Sequence, residues 1–141
     1  GQVTAVDPSF SDIVAQDGPS PWPLGAQTVA GIPDLSHVRG KESRLKEFVY
    51  VASLPSPSCA IVDTARACRI RLSWEHATMP YLWLFMSYGG WRDVYTVVLE
   101  PCTNMPKDLT SAKDLGQAAL LRPGERFETY VSVEVGGIAE R

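Results

Sequence analysis

Met79-Pro80-Tyr81-Leu82-Trp83-Leu84-Phe85-Met86-Ser87-Tyr88-Gly89-Gly90-Trp91-Arg92-Asp93-Val94-Tyr95-Thr96-Val97-Val98-Leu99-Glu100-Pro101-Cys102-Thr103 decides the fold. Two runs rich in aromatic and β-branched residues, Tyr81–Tyr88 and Val94–Glu100, flank a short loop holding Gly89 and Gly90. Such residues suit a pleated, packed surface, so the stretch predicts a pair of strands. Side chains alternate along a strand, which puts Tyr95, Val97 and Leu99 on one face and Thr96, Val98 and Glu100 on the other. Pro101 lacks a backbone donor and is expected to stop the ladder there. Glu100 thus leaves the end of an apolar strand beside Val98, the kind of rigid seat on which a general base is held.

Working outward, Phe48–Ala52, Cys59–Asp63 and Ala67–Glu75 read as three more strands, separated by Pro55-Ser56-Pro57 and a tight turn at Thr64–Arg66. In the third, Cys68, Ile70, Leu72 and Trp74 alternate with Arg69, Arg71 and Ser73, the pattern of an antiparallel strand with one wet face. Gln2–Val6 and Thr28–Ile32 are short strand candidates, and Asp7-Pro8 favours a turn. Residues 7–27, punctuated by proline and glycine, read as an irregular loop anchored by Trp22. Pro33–Lys46 is polar and reads as exposed loop. Lys107–Leu115 is the helix candidate, with Asp108 or Thr110 as cap and Gly116 as stop. Arg122-Pro123-Gly124-Glu125 suits a type II turn, and Phe127–Val135 alternates as a last strand. The fold class expected is all-β, an antiparallel β-sandwich with one short helix.

The 141 residues fit one domain with a useful core, and 45% hydrophobic with 21% charged residues is ordinary for a globular chain. A net charge of −3 argues against nucleic-acid binding, which needs clustered Lys and Arg. No apolar run reaches the roughly 20 residues that span a bilayer, so no membrane partner is expected. Cys59, Cys68 and Cys102 are odd in number and widely spaced, with no CxxC pair and no His at zinc-finger distance. Neither metal nor disulfide framework is indicated, and Cys68 reads as a buried, inert thiol in a reducing, cytoplasmic setting.

Phosphate-cradling glycine motifs, a GxSxG elbow and HExxH are all absent from the sequence. His37 and His76 sit in polar, turn-like contexts that suit exposed structural roles. Arg66, Arg69 and Arg71 could bind an anion, although a solvated strand face is the commoner meaning of that spacing. Trp83 and Phe85 share a face with Tyr81 and could line a sugar platform; in a β-sandwich such a face is more often core. On pattern alone, a carboxylate like Glu100 more often reaches water or a neighbouring Arg than does catalysis.

Pro80-Tyr81-Leu82-Trp83-Leu84, then Val97-Val98-Leu99-Glu100-Pro101-Cys102-Thr103, then Leu121-Arg122-Pro123-Gly124-Glu125 and the alternating final strand together resemble the C-terminal half of the aldose 1-epimerase (galactose mutarotase-like) family. Asp7-Pro8-Ser9-Phe10, Pro21-Trp22-Pro23 and Phe48-Val49-Tyr50 fall in the order that family would have. The resemblance implies a partial supersandwich binding a monosaccharide, a hexose or a derivative, in a cleft across one sheet. Glu100 would be the general base that takes the proton from the anomeric hydroxyl, with no metal or cofactor. By the same resemblance Glu47 would contact the substrate, alongside the platform that Trp83 and Phe85 could form. The family's histidine acid would lie ahead of residue 1, and neither His37 nor His76 matches it. Residues 1–141 would then be the C-terminal portion of one domain, complemented by the missing N-terminal half or by a second copy of the chain. A carbohydrate-binding or regulatory module of the same fold is the alternative, and an epimerase of anionic sugars using Arg69, Arg71 or Arg92 is a third.

Overall fold

The computed structural model describes residues 1–6, 8–14, 19–23, 34–105 and 108–138. Its strands are β1 (Gln2–Ala5), β2 (Ser20–Pro21), β3 (Lys46–Ala52), β4 (Ser58–Asp63), β5 (Cys68–Trp74), β6 (Tyr81–Tyr88), β7 (Tyr95–Cys102) and β8 (Val131–Gly137), with one helix, α1 (Leu109–Asp114). They form two antiparallel sheets, one ordered β2-β1-β3-β6-β7 and the other β4-β5-β8. The all-β sandwich expected from the sequence is what the chain forms. No helix among the described residues is long and apolar enough to cross a membrane.

Strand alternation builds the interior. Leu82, Leu84, Met86 and Tyr88 of β6 join Val49 and Val51 of β3 and Val3 of β1, all buried. Trp74 enters from β5 at 1% exposure, with Leu72 and Cys59 packed against the same cluster. The Trp74 indole N–H donates to the Met79 carbonyl at 2.9 Å, so the ring is both buried and satisfied. Burial fades along β5: Cys68 is half-buried rather than enclosed, and Ile70 is 41% exposed. The dry face expected of this strand is dry only near Trp74, where the other sheet covers it.

Three differences from the expected boundaries have a clear physical cause. β7 does not stop at Glu100 but runs through Pro101, opposite Leu82, to Cys102, opposite Tyr81. Gly89 N–H donates to the Val94 carbonyl, which sets the parity: Thr96, Val98, Glu100 and Cys102 turn their backbone groups toward β6, and Pro101 turns away. The donor that proline lacks would have faced the free edge, so no ladder bond is lost. β8 begins at Val131 rather than Phe127, because its partner β5 ends at Trp74, opposite Val131. Lys46 belongs to β3 instead of the preceding loop, its N–H held by the Asp12 carboxylate at 2.7 Å. The Thr28–Ile32 candidate and Asp7 lie outside the described residues; Pro8–Phe10 is a short 3-10 turn.

Local signals elsewhere hold. Asp108 caps α1, accepting from the Thr110 and Ser111 N–H groups, and Gly116 ends it at φ 66°. Glu125 N–H donates to the Arg122 carbonyl at 3.0 Å with Gly124 at φ 84°, as a type II turn requires. Between β6 and β7 the loop carries Arg92 and Asp93 at φ 48° and 60°. Asp93 is held there by ion pairs to Lys41 and Arg44.

Candidate functional site

The five-stranded sheet has two different faces, and the predicted residues divide between them. Register places Trp83 opposite Glu100, Phe85 opposite Val98 and Tyr81 opposite Cys102. Across β3, Phe48 lies opposite Phe85 and Tyr50 opposite Trp83. Directly paired residues share a face, so Glu100, Trp83 and Phe85 come together on the side turned away from the sandwich interior. The aromatic side chains interlock there. Trp83 meets Phe48 at 5.3 Å and Tyr50 at 5.2 Å between ring centroids, both edge to face. Phe85 meets Phe48 at 5.7 Å and Trp91 at 5.7 Å, and Phe10 covers Phe85 at 5.4 Å. Arg92 stacks on Trp91 at 5.0 Å, while Arg69 and Arg71 project from the outer face of the other sheet.

Trp83 is fixed at its rim by an indole N–H donated to the Asn104 carbonyl at 2.9 Å. Glu100 is half-buried beside it, with no hydrogen bond or ion pair to another described residue. Its charge is felt by the thiol two residues on. Cys102 is pushed up to about 11, first by burial and second by the Glu100 carboxylate. A half-buried carboxylate flanked by an indole can accept a hydrogen bond from a hydroxyl laid over the ring, or take its proton.

Glu47 does not belong to that face. It lies opposite Met86 on the interior side, 0% exposed. Its Oε2 accepts the N–H groups of Ile13 at 2.8 Å and Val14 at 3.3 Å, and its Oε1 has no partner among the described residues. Burial raises its pKa above the ordinary carboxylate value, against the lowering effect of the Ile13 and Val14 hydrogen bonds. The sheet therefore separates Glu47 from Trp83, Phe85 and Glu100. Its visible role is to pin residues 11–14 to β3.

A cavity of about 650 Å³ also opens on the interior side, lined by Leu82, Leu84, Met86, Val97 and Leu99 of the large sheet and Ile61 of β4. None of Glu100, Trp83, Phe85 or Glu47 lines it. His37 stands at its rim, exposed and hydrogen-bonded to Asp34 at 3.1 Å, and His76 is exposed in the turn after β5. Neither histidine shares the aromatic face. Among the described residues no three His, Cys, Asp or Glu side chains gather as a metal site, and the three cysteines are free thiols.

The sequence puts Trp83 and Phe85 on one face of their strand and Glu100 with Val98 on one face of the next, but does not join the two or reveal Phe48, Tyr50, Phe10 and Trp91 beside them. The period-two spacing of Phe48 and Tyr50 was a readable signal. Phe10 arrives from a 3-10 turn whose position no local pattern encodes. Comparison with protein-family models, with characterised proteins and with solved structures finds no match to this chain.

Proposed function

We propose that the outer face of the five-stranded sheet is a platform for a monosaccharide, and that Glu100 serves there as the general base of an aldose 1-epimerase-like reaction. One observation carries the reading: the register that sets the Glu100 carboxylate directly opposite Trp83 on an aromatic surface. Sugar rings stack their C–H faces on indoles, and a neighbouring carboxylate engages the hydroxyls. The sequence resemblance to the aldose 1-epimerase family gives the same carboxylate its role.

In that reaction Glu100 removes the proton of the anomeric hydroxyl. The C1–ring-oxygen bond breaks as an acid delivers a proton to the ring oxygen. The open aldehyde turns about C1–C2 and recloses on its other face, the two protons returning by the reverse path. No histidine among the described residues faces Glu100. The free thiols suit a reducing, cytoplasmic setting.

Saturation-transfer NMR with galactose and glucose, together with exchange NMR between anomers, tests this. Sugar contact that Trp83→Ala abolishes is expected. Anomer exchange that Glu100→Gln removes without abolishing contact is the second expected result. Absence of any sugar contact, or exchange equal in Glu100→Gln, overturns the proposal. That neither His37 nor His76 shares the face of Glu100 favours a second reading, a carbohydrate-binding module without turnover; binding with no acceleration in any preparation would select it.

A further inference from the structure

Among the described residues β8 is the edge of the smaller sheet, paired only with β5. Glu75 N–H donates to the Tyr130 carbonyl and Ile138 N–H to the Ala67 carbonyl, so the even-numbered residues here turn their backbone groups toward β5. Val131, Val133 and Val135 therefore present their N–H and C=O groups along the free edge. The side chains of the same three residues lie on the face shared with Ile70, Leu72 and Trp74. They are 48%, 63% and 71% exposed.

An edge that is open in both backbone and side chain is normally guarded by proline, lysine or a bulge. The edge of the larger sheet has such a guard in Pro101, whose missing donor faces outward. β8 has none: Val131-Ser132-Val133-Glu134-Val135 carries no proline, no cation and no bulge in its pairing with β5. The stretch is also self-complementary. Run antiparallel against itself about Val133, it sets Val131 opposite Val135, and each Ser132 opposite a Glu134. No two like charges then face one another, and the valines of both copies make one apolar row.

We propose that a second copy of this chain pairs along the free edge of β8, antiparallel and centred on Val133. The two smaller sheets become one sheet running through both copies. The three valines of each copy exchange N–H···O=C bonds across a two-fold axis, which is an isologous contact.

The test uses the whole chain in sedimentation equilibrium over a dilution series from about 100 μM, where a dimer dissociates by mass action. A dimer is expected. Val133→Lys, which leaves the bonds to β5 in place, should weaken it at least about tenfold, since it sets two cations face to face at the axis. Register is read by oxidation. Val133→Cys should form a disulfide between copies, because directly hydrogen-bonded residues lie about 5.5 Å apart at Cα. Val131→Cys and Val135→Cys should each fail alone and crosslink when mixed. The native chain, with its own three cysteines, is the background control. A monomer throughout the series overturns the proposal and leaves the edge to a strand of some other polypeptide. So does a dimer that Val133→Lys leaves intact and that lacks the residue-133 crosslink. If Val133→Lys fails to fold, the cysteine pattern decides alone.

Discussion

Replacing Glu47 by leucine removes the acceptor that holds the Ile13 and Val14 N–H groups inside the protein. Both donors are buried, and the bond from Ile13, at 2.8 Å, is the stronger. A buried donor left without a partner costs about 1–3 kcal/mol. The Val14 bond, at 3.3 Å, contributes toward the lower end. Leucine gains something in return, because the carboxyl is 0% exposed and its ionised form is costly to bury. The net loss should be about 2–3 kcal/mol, which for a chain of this size lowers Tm by about 6–10 °C. Glu47→Gln separates the hydrogen bonds from the charge, since its carbonyl oxygen can still accept both N–H groups. The sign of the pH effect follows from the raised pKa. Between the ordinary value of 4.5 and the higher folded-state value, the folded chain holds more protons than the unfolded one. Glu47 therefore makes the protein less stable as pH rises through that window, and relieves it as pH falls. Urea unfolding of the three proteins at one concentration, from acid to neutral pH, reads both effects. Glutamine should gain on the native chain as pH rises. A leucine variant within about 0.5 kcal/mol of the native chain, the scatter of an ordinary surface change, refutes the clamp. A native chain that gains on Glu47→Gln toward neutral pH refutes the burial argument.

Gly90→Ala should destabilise by about 2–3 kcal/mol in chemical unfolding, because the new Cβ would meet backbone that cannot swing aside. It would stand 2.3 Å from the Arg44 carbonyl oxygen and 2.7 Å from the Leu45 carbonyl carbon. Trp74→Phe should cost about 2–3 kcal/mol in the same assay, from lost volume and an unanswered Met79 carbonyl. Cys59 and Cys102 are both pushed up to about 11 from 9.0, so alkylation at pH 8 should run about a hundredfold slower than for an ordinary thiol, in step with the thiolate fraction. Glu100→Gln should speed labelling of Cys102 and leave Cys59 unchanged, as mass spectrometry of the labelled peptides would show. Equal rates at Cys102 in both proteins would remove Glu100 from its surroundings.

Strand alternation was enough to put Glu100 with Val98 and to bound Tyr81–Tyr88, because each depends on period two within one short run. It could not say which side of β6 faces inward. Leu82, Leu84 and Met86 on one side and Trp83 and Phe85 on the other are all apolar, and only packing against the second sheet separates them. The extent of β8 is hidden for a related reason: Phe127 and Thr129 alternate well but have no strand to pair with among the described residues. Glu47 is the hardest case. Its buried state depends on N–H groups at Ile13 and Val14, more than thirty positions away, and no neighbour in sequence announces them. Capping at Asp108 and the turn at Gly124 were legible because their partners lie within three residues.

The order in which strands are laid down has a cost at the ribosome. The chain leaves the larger sheet after β3, returns for β6 and β7, and leaves again for β8. The β4–β5 and β6–β7 pairs can zip as soon as they emerge, each being a local hairpin. β5 must then wait with one flank unanswered until residues 131–137, more than fifty positions further on, come out of the exit tunnel. A nascent chain stalled before that point displays Cys68, Ile70 and Leu72 beside an unfilled edge, which is where a holding chaperone should be found by site-specific crosslinking.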